Sequence, residues 1–236
     1  MTINIDEAIW LKKNFPDLQI NSFTPLRISG NFIFSASFDS TRKVYIVNPE
    51  SGDGNKIEDS YQIEIDSSEV DFPKVTEVGG KIQLFAQNLG LPTIDLHLTN
   101  KNYTCLIGQF DRYKRYTLEE FMLGPLLQFF YDQSFHNKFG TWPRGEYSHN
   151  AAGLFENYHT IRDGNSDINF FAQCLDYLKV NYPDIYIEIV TKKSPIKGHH
   201  LCICGSKKMF RNCHTDAFKG LWQFKSDFMA YKKSLQ

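Results

Sequence analysis

Apolar and polar positions change their period several times along the chain. Ile5, Ala8, Ile9 and Leu11 are apolar, Asp6 and Glu7 stand in the first turn and Pro16 follows; this predicts a short amphipathic helix over 5–15 that ends before the proline. The runs LRISG, NFIFSASF, KVYIVNP and YQIEID then alternate in part, with SGDGNK as a turn between the last two. That pattern predicts an antiparallel meander of about four strands. DFPKVTEV is extended and proline-bearing, and PTIDLHLTNKNYTCLIGQ carries His97 and Cys105. TLEEFMLGPLLQFFYDQSF follows as a long helix, opened by the capping box Thr117-x-x-Glu120. WPRGEYSHNAAG is a loop, and SDINFFAQCLDYL is an amphipathic helix expected to bury Cys174. The elements together give an α+β class.

Composition adds bounds. With 236 residues, 22% charged and 42% hydrophobic, the chain lies in the ordinary globular range. No window approaches the roughly 18 apolar residues of a membrane span, so no membrane association is expected. The start, MTINIDEAIWLKKNF, lacks a basic stretch followed by an apolar one. The expectation is a cytoplasmic protein, whose five cysteines serve as ligands, nucleophiles or core filler rather than disulfides. Net charge is −1, yet residues 192–236 hold 10 Lys and Arg against 2 Asp and Glu, and the rest 16 against 25. Such a basic tail suits an acidic partner, or is a solvated surface. No dinucleotide fingerprint, Walker loop or H-E-x-x-H occurs.

The tail changes the picture most. CICGSKKMFRNCH, residues 202–214, places Cys202, Cys204, Cys213 and His214 in a C-x-C-x8-C-H pattern. Three thiolates and an imidazole are the ligand set of a closed, tetrahedral structural zinc site. So short a segment has no core of its own, and metal binding would drive its folding. Lys207, Lys208 and Arg211 are expected to offset the thiolate charge. The stretch resembles the SEC-C motif, roughly C-x-C-G-S-G-K-K-[FY]-K-x-C-[CH], with the second glycine missing. That resemblance implies zinc and an interaction role, not an activity. The aromatics Phe210, Phe218, Trp222 and Phe224, interleaved with basic residues, fit a small-domain core better than a nucleic-acid surface.

Upstream, the order of helix, four-strand meander, proline-bearing segment, histidine, loop cysteine and long helix resembles the ubiquitin-conjugating (UBC) fold over roughly residues 5–160. In that family an H-P-N stretch precedes the active cysteine, the asparagine lying eight residues before it. Here His97 stands eight residues before Cys105, and LHLTN replaces the tripeptide. The chain is more similar to divergent bacterial members, including the conjugating enzymes of CBASS antiphage operons, which act on a cGAS-like nucleotidyltransferase. The loop from Trp142 to His149 also resembles bacterial members. The resemblance implies a thioester on Cys105, with His97 as donor or proton shuttle and His149 as a third member. It also implies a protein partner, a nucleotidyltransferase whose C-terminus is passed to an amine.

The residues alone leave alternatives open. A cysteine at a sheet edge can simply fill a small apolar hole. The absent asparagine suits a UBC-like scaffold that binds the nucleotidyltransferase without catalysis. A papain-like hydrolase would place its nucleophile at a helix start, whereas Cys105 precedes the capped helix by about a dozen residues. The expected organisation is a UBC-like domain over 1–160, a helical extension over 161–194 and a zinc-binding tail over 195–236.

Overall fold

The structure is a computed structural model that describes residues 2–50, 55–68, 72–99, 103–106, 115–145, 150–162, 168–192, 196–204 and 206–234. The chain divides into two compact units, one of residues 1–107 and 115–146, the other of 108–114 and 147–236. The first carries an antiparallel sheet and helices, so the class is α+β.

Helix α1, Ile5–Asn14, starts where Asn4 caps Glu7 N–H and Glu7 returns the bond, and it ends against Pro16. Its buried apolar residue is Leu11; Ile5 and Ile9 are 77% and 62% exposed, so the expected stripe is not the packed face. Strands β1 (Leu18–Phe23), β2 (Leu26–Asp39), β3 (Val44–Val47), β4 (Ile57–Asp66) and β5 (Lys74–Glu77) form the sheet among the described residues. Four strands were expected, and five are present. LRISG and NFIFSASF are one 14-residue strand, and LQINSF is a strand of its own. Gly30 explains the fusion: at φ 136 it keeps the strand running where an added Cβ would meet the Asp17 carbonyl oxygen at 2.1 Å.

The sheet is not a simple meander. Its order is β1-β2-β4-β5, and β3 also pairs with β2. β4 covers Arg27 to Ala36 along one edge of β2; β1 takes Leu26 to Gly30 and β3 takes Ala36 to Asp39 on the other. On β4, Ile57, Tyr61, Ile63 and Ile65 are buried while Glu58, Gln62 and Glu64 are exposed, the period-two pattern of a half-buried strand.

Helix α2 (Lys81–Leu89), absent from the sequence reading, lies between left-handed Gly80 and Gly90. The expected long helix is three segments: α3 (Leu118–Phe121), a π-helical turn (Met122–Leu126) and α4 (Leu127–Phe139). The Thr117–Glu120 capping box is present. Gly124, at φ −94 and ψ −105, and Pro125 break the regular ladder between the segments. Phe130 of α4 packs on Tyr61 and Phe32, ring centroids 4.5 and 5.7 Å apart. Beside it, the Ser134 hydroxyl donates to Asp59 at 2.6 Å, and Lys81 pairs with the same carboxylate.

The second unit is helical: α5 (Asn150–Ile161), α6 (Ile168–Asn181), α7 (Pro183–Thr191), α8 (Phe210–Cys213) and α9 (Thr215–Ser234). Asn150–Gly153, expected as loop, begins α5. α5 was assigned to the first domain by sequence, yet Phe155 and Tyr158 share one core with Phe171, Cys174, Leu178, Phe210, Leu221 and Phe224. That core also joins the stretches expected as separate extension and tail. Cys174 is fully buried in it, as expected. The backbones of α5 and α9 meet at Gly220, where an added Cβ would lie 1.9 Å from the Phe155 carbonyl oxygen. Among the described residues, no helix is long and apolar enough to cross a membrane.

Candidate metal centre and thiol site

The metal centre is built by local hydrogen bonds. Leu201 and Met209 form an antiparallel bridge. Cys202 N–H donates to the Lys208 carbonyl at 2.8 Å, and Phe210 N–H to His200 at 2.9 Å. The chain then turns into α8, whose amides on Cys213 and on the following His214 donate to Met209 and Phe210, each at 3.0 Å. The hairpin cysteines thereby face the cysteine and histidine of the short helix. All four ligand atoms lie within 4.8 Å of one another. Cys204 Sγ is 3.7 Å from Cys213 Sγ, and His214 Nδ1 is 3.1 Å from Cys202 Sγ. These residues are positioned to hold a metal ion.

The two hairpin thiols differ. Burial pushes Cys202 up to about 12. The Ser206 hydroxyl, then its backbone amide, lower Cys204 to about 6. The tight turn through Ser206 that the sequence offers as a source of backbone amides for the sulfurs also supplies a hydroxyl, which lies 3.1 Å from Cys213 Sγ as well. Lys207 stands at the position of the missing motif glycine and adopts φ 60, the left-handed conformation a glycine would take.

In the sheet-bearing unit, a short ladder brings the other two candidates together. A 3₁₀ turn, Thr93–Leu96, ends at His97, whose backbone is left-handed at φ 57. Leu98 then bridges Thr104, and Tyr103 bridges Thr76 of β5. Cys105 N–H donates to the His97 carbonyl at 2.8 Å, and Thr104 N–H to Val75 at 2.9 Å. Gln133, buried on α4, donates to the Leu96 carbonyl at 2.9 Å and so fixes the turn. The His97 ring packs on Trp142 with centroids 5.0 Å apart, and Trp142 stacks on His136 at 4.3 Å. Trp142 therefore anchors against His97 itself. Gln133 is a supporting residue the sequence does not single out, because its partner Leu96 is distant in the chain; His136, expected as surface or core, is buried beside Trp142.

Cys105 is exposed, yet the chain around it withdraws enough water to hold its thiol above the ordinary range. His149 lies outside the described residues.

No family model, curated protein or solved structure matches the chain.

Proposed function

We propose that the chain is a zinc-stabilised acyl carrier of the ubiquitin-conjugating type, with Cys105 as its thiol. Zinc is favoured over other metals by the donor set. In a tetrahedral site with Zn–S near 2.3 Å, two sulfurs stand about 3.8 Å apart. Cys204 and Cys213 are 3.7 Å apart, far from the roughly 2.05 Å of a disulfide. Four protein ligands leave no open position, so the ion's role is structural. Cys202 and Phe210 are both part of the helical core, so the ion would tie the loop to that core.

The observation that supports the carrier reading is the adjacency of exposed Cys105 and His97 across one ladder. The Cys105 thiolate attacks a carboxyl carbon already activated by a separate adenylating protein, and adenylate leaves as the thioester forms. An acceptor amine then adds to the thioester carbonyl; the amide forms, the amine's proton is lost and the thiolate departs. His97 supplies a donor to the oxygen that becomes negative, or takes the proton; such a donor contributes about 10² to 10³ in rate. His149 is the third member of this proposal. By the same resemblance, the protein partner is a cGAS-like nucleotidyltransferase in antiphage defence, and the compartment is the cytoplasm.

The test is Cys105→Ser, expressed with the genomic neighbours and weighed intact with and without reductant. A protein-sized adduct that resists reductant and depends on residue 105 is the expected result. Its absence, with the neighbours folded and present, overturns the carrier reading. A UBC-like scaffold without catalysis is the second reading, and the raised thiol pKa favours it, since less thiolate stands ready at neutral pH. It predicts that Cys105→Ala retains all activity in cells.

A further inference from the structure

The fused strand β2 leaves part of one edge open. β1 pairs with it as far as Gly30 and β3 begins at Ala36, so the backbone between them meets no strand on that side. The ends of the interval are closed: Asn31 N–H donates to Asp17 at 3.2 Å, and Asn48 N–H donates to Ser35 at 2.8 Å. Alternate residues of an antiparallel strand direct N–H and C=O to the same edge, so Ile33, between those two, directs both of its groups into the interval. The far side of the sheet agrees. Val78 N–H reaches the Gln62 carbonyl at 2.8 Å, so Gln62 and its alternates, including Ser60, bond away from β2. Ile33 opposite Ser60 is therefore a pair without ladder bonds. Among the described residues no strand or loop bond closes on either Ile33 group, and each end of the interval is held by a single bond.

The interval opens into a cavity of about 630 Å³, within the size range of ligand sites. Trp10 of α1, Phe15 just after it, Phe34, and Leu123 and Leu127 give it an apolar wall. Its three charged lining residues are all acidic: Glu58, Asp59 and Glu119. Lys81 occupies Asp59, and exposed Lys56 pairs with Glu58 at 2.7 Å, while Glu119 is exposed.

We infer that this open edge is a binding site for a short extended peptide with a basic residue between two apolar ones. One peptide residue opposite Ile33 donates its N–H to the Ile33 carbonyl and accepts from the Ile33 N–H, completing the edge by strand addition. Directly opposed residues share a face, so its side chain stands on the face of Ile33 and Ser35. Ser35 Oγ is 3.5 Å from Glu58 Oε1, which places that carboxylate within reach of a lysine or arginine. The two flanking residues point to the other face, where Phe34, Leu123 and Leu127 are apolar. The interval has room for about three residues at 3.3 Å each, too few for a full strand and enough for a linear motif. This site is independent of the chemistry proposed at Cys105.

The probe is acetyl-Leu-Lys-Leu-amide titrated into the full chain, with backbone amide shifts of Ile33, Ser35 and Asn48 as readout. Saturable shifts at these amides are expected. N-methylation of the peptide's lysine, which removes one ladder bond, should weaken binding about tenfold. Replacing that lysine by glutamate should weaken it by a similar factor at low salt, and Glu58→Gln should narrow the difference between the two peptides. Glu58 is exposed, so that variant keeps the fold. Equal binding of the N-methylated peptide, equal binding of the glutamate peptide, or shifts confined to other amides would overturn the assignment.

Discussion

In the helical unit, the four candidate ligands come from thirteen consecutive residues and are brought together by bonds that span no more than thirteen positions. In the sheet-bearing unit, Cys105 meets His97 only because a 3₁₀ turn, two isolated bridges and a glutamine from α4 hold the intervening chain. The first arrangement has little core of its own, and a bound ion would supply its rigidity. The second is part of a sheet whose core is already complete. Chemistry placed by local spacing is thus coupled to stability, whereas chemistry placed by long-range pairing inherits stability from elsewhere.

Removing the metal should separate the two units most sharply. Structural zinc contributes about 10–16 kcal/mol to small metal-dependent folds, so a chelator, or Cys204→Ser with Cys213→Ser, should strip amide-exchange protection from α9 and α6. Protection across β2 and β4 should stay unchanged. Equal loss in both units, or no loss in either, would end the comparison.

Two glycines offer a second contrast. Gly30→Ala would press a Cβ on the Asp17 carbonyl at a positive φ, and Gly220→Ala would press one on the Phe155 carbonyl. Both obstacles are backbone, so each variant should cost about 2–4 kcal/mol. In denaturant titrations followed by exchange, Gly30→Ala should lower the sheet unit alone and Gly220→Ala the helical unit alone. A shift of both transitions by either variant would show that the units do not unfold separately.

The same division governs what the sequence reveals. The Cys202–His214 cluster was legible because ligand spacing and local turns determine it. The Thr117–Glu120 capping box and the burial of Cys174 were legible because each depends on neighbours within a turn or on one helical face. The two-strand reading of LRISG and NFIFSASF failed at Gly30, where a glycine that looks like a turn serves a close approach to Asp17. Helix α2 was missed because its ends are set by left-handed Gly80 and Gly90, and its buried positions Ile82, Phe85 and Ala86 are too few to announce a period. The open interval on β2 could not be read at all, since it depends on where β1 stops and β3 starts on a partner strand.

The smallest effect tests the local side of the contrast most finely. Lys207 holds a left-handed backbone in the metal loop, where the related motif has glycine. A side chain there costs roughly 1 kcal/mol relative to glycine, partly offset by the greater freedom glycine has when unfolded. Lys207→Gly should therefore raise metal affinity about two- to fivefold, measured by competition with a chromogenic chelator. Lys207→Ala supplies the control, because it removes the same charge but keeps the Cβ, and it should show no gain. If alanine and glycine improve affinity equally, the lysine's charge governs the loop and backbone strain does not. If only glycine improves it, the thirteen-residue segment sets its own geometry, consistent with ligands positioned by local chain conformation.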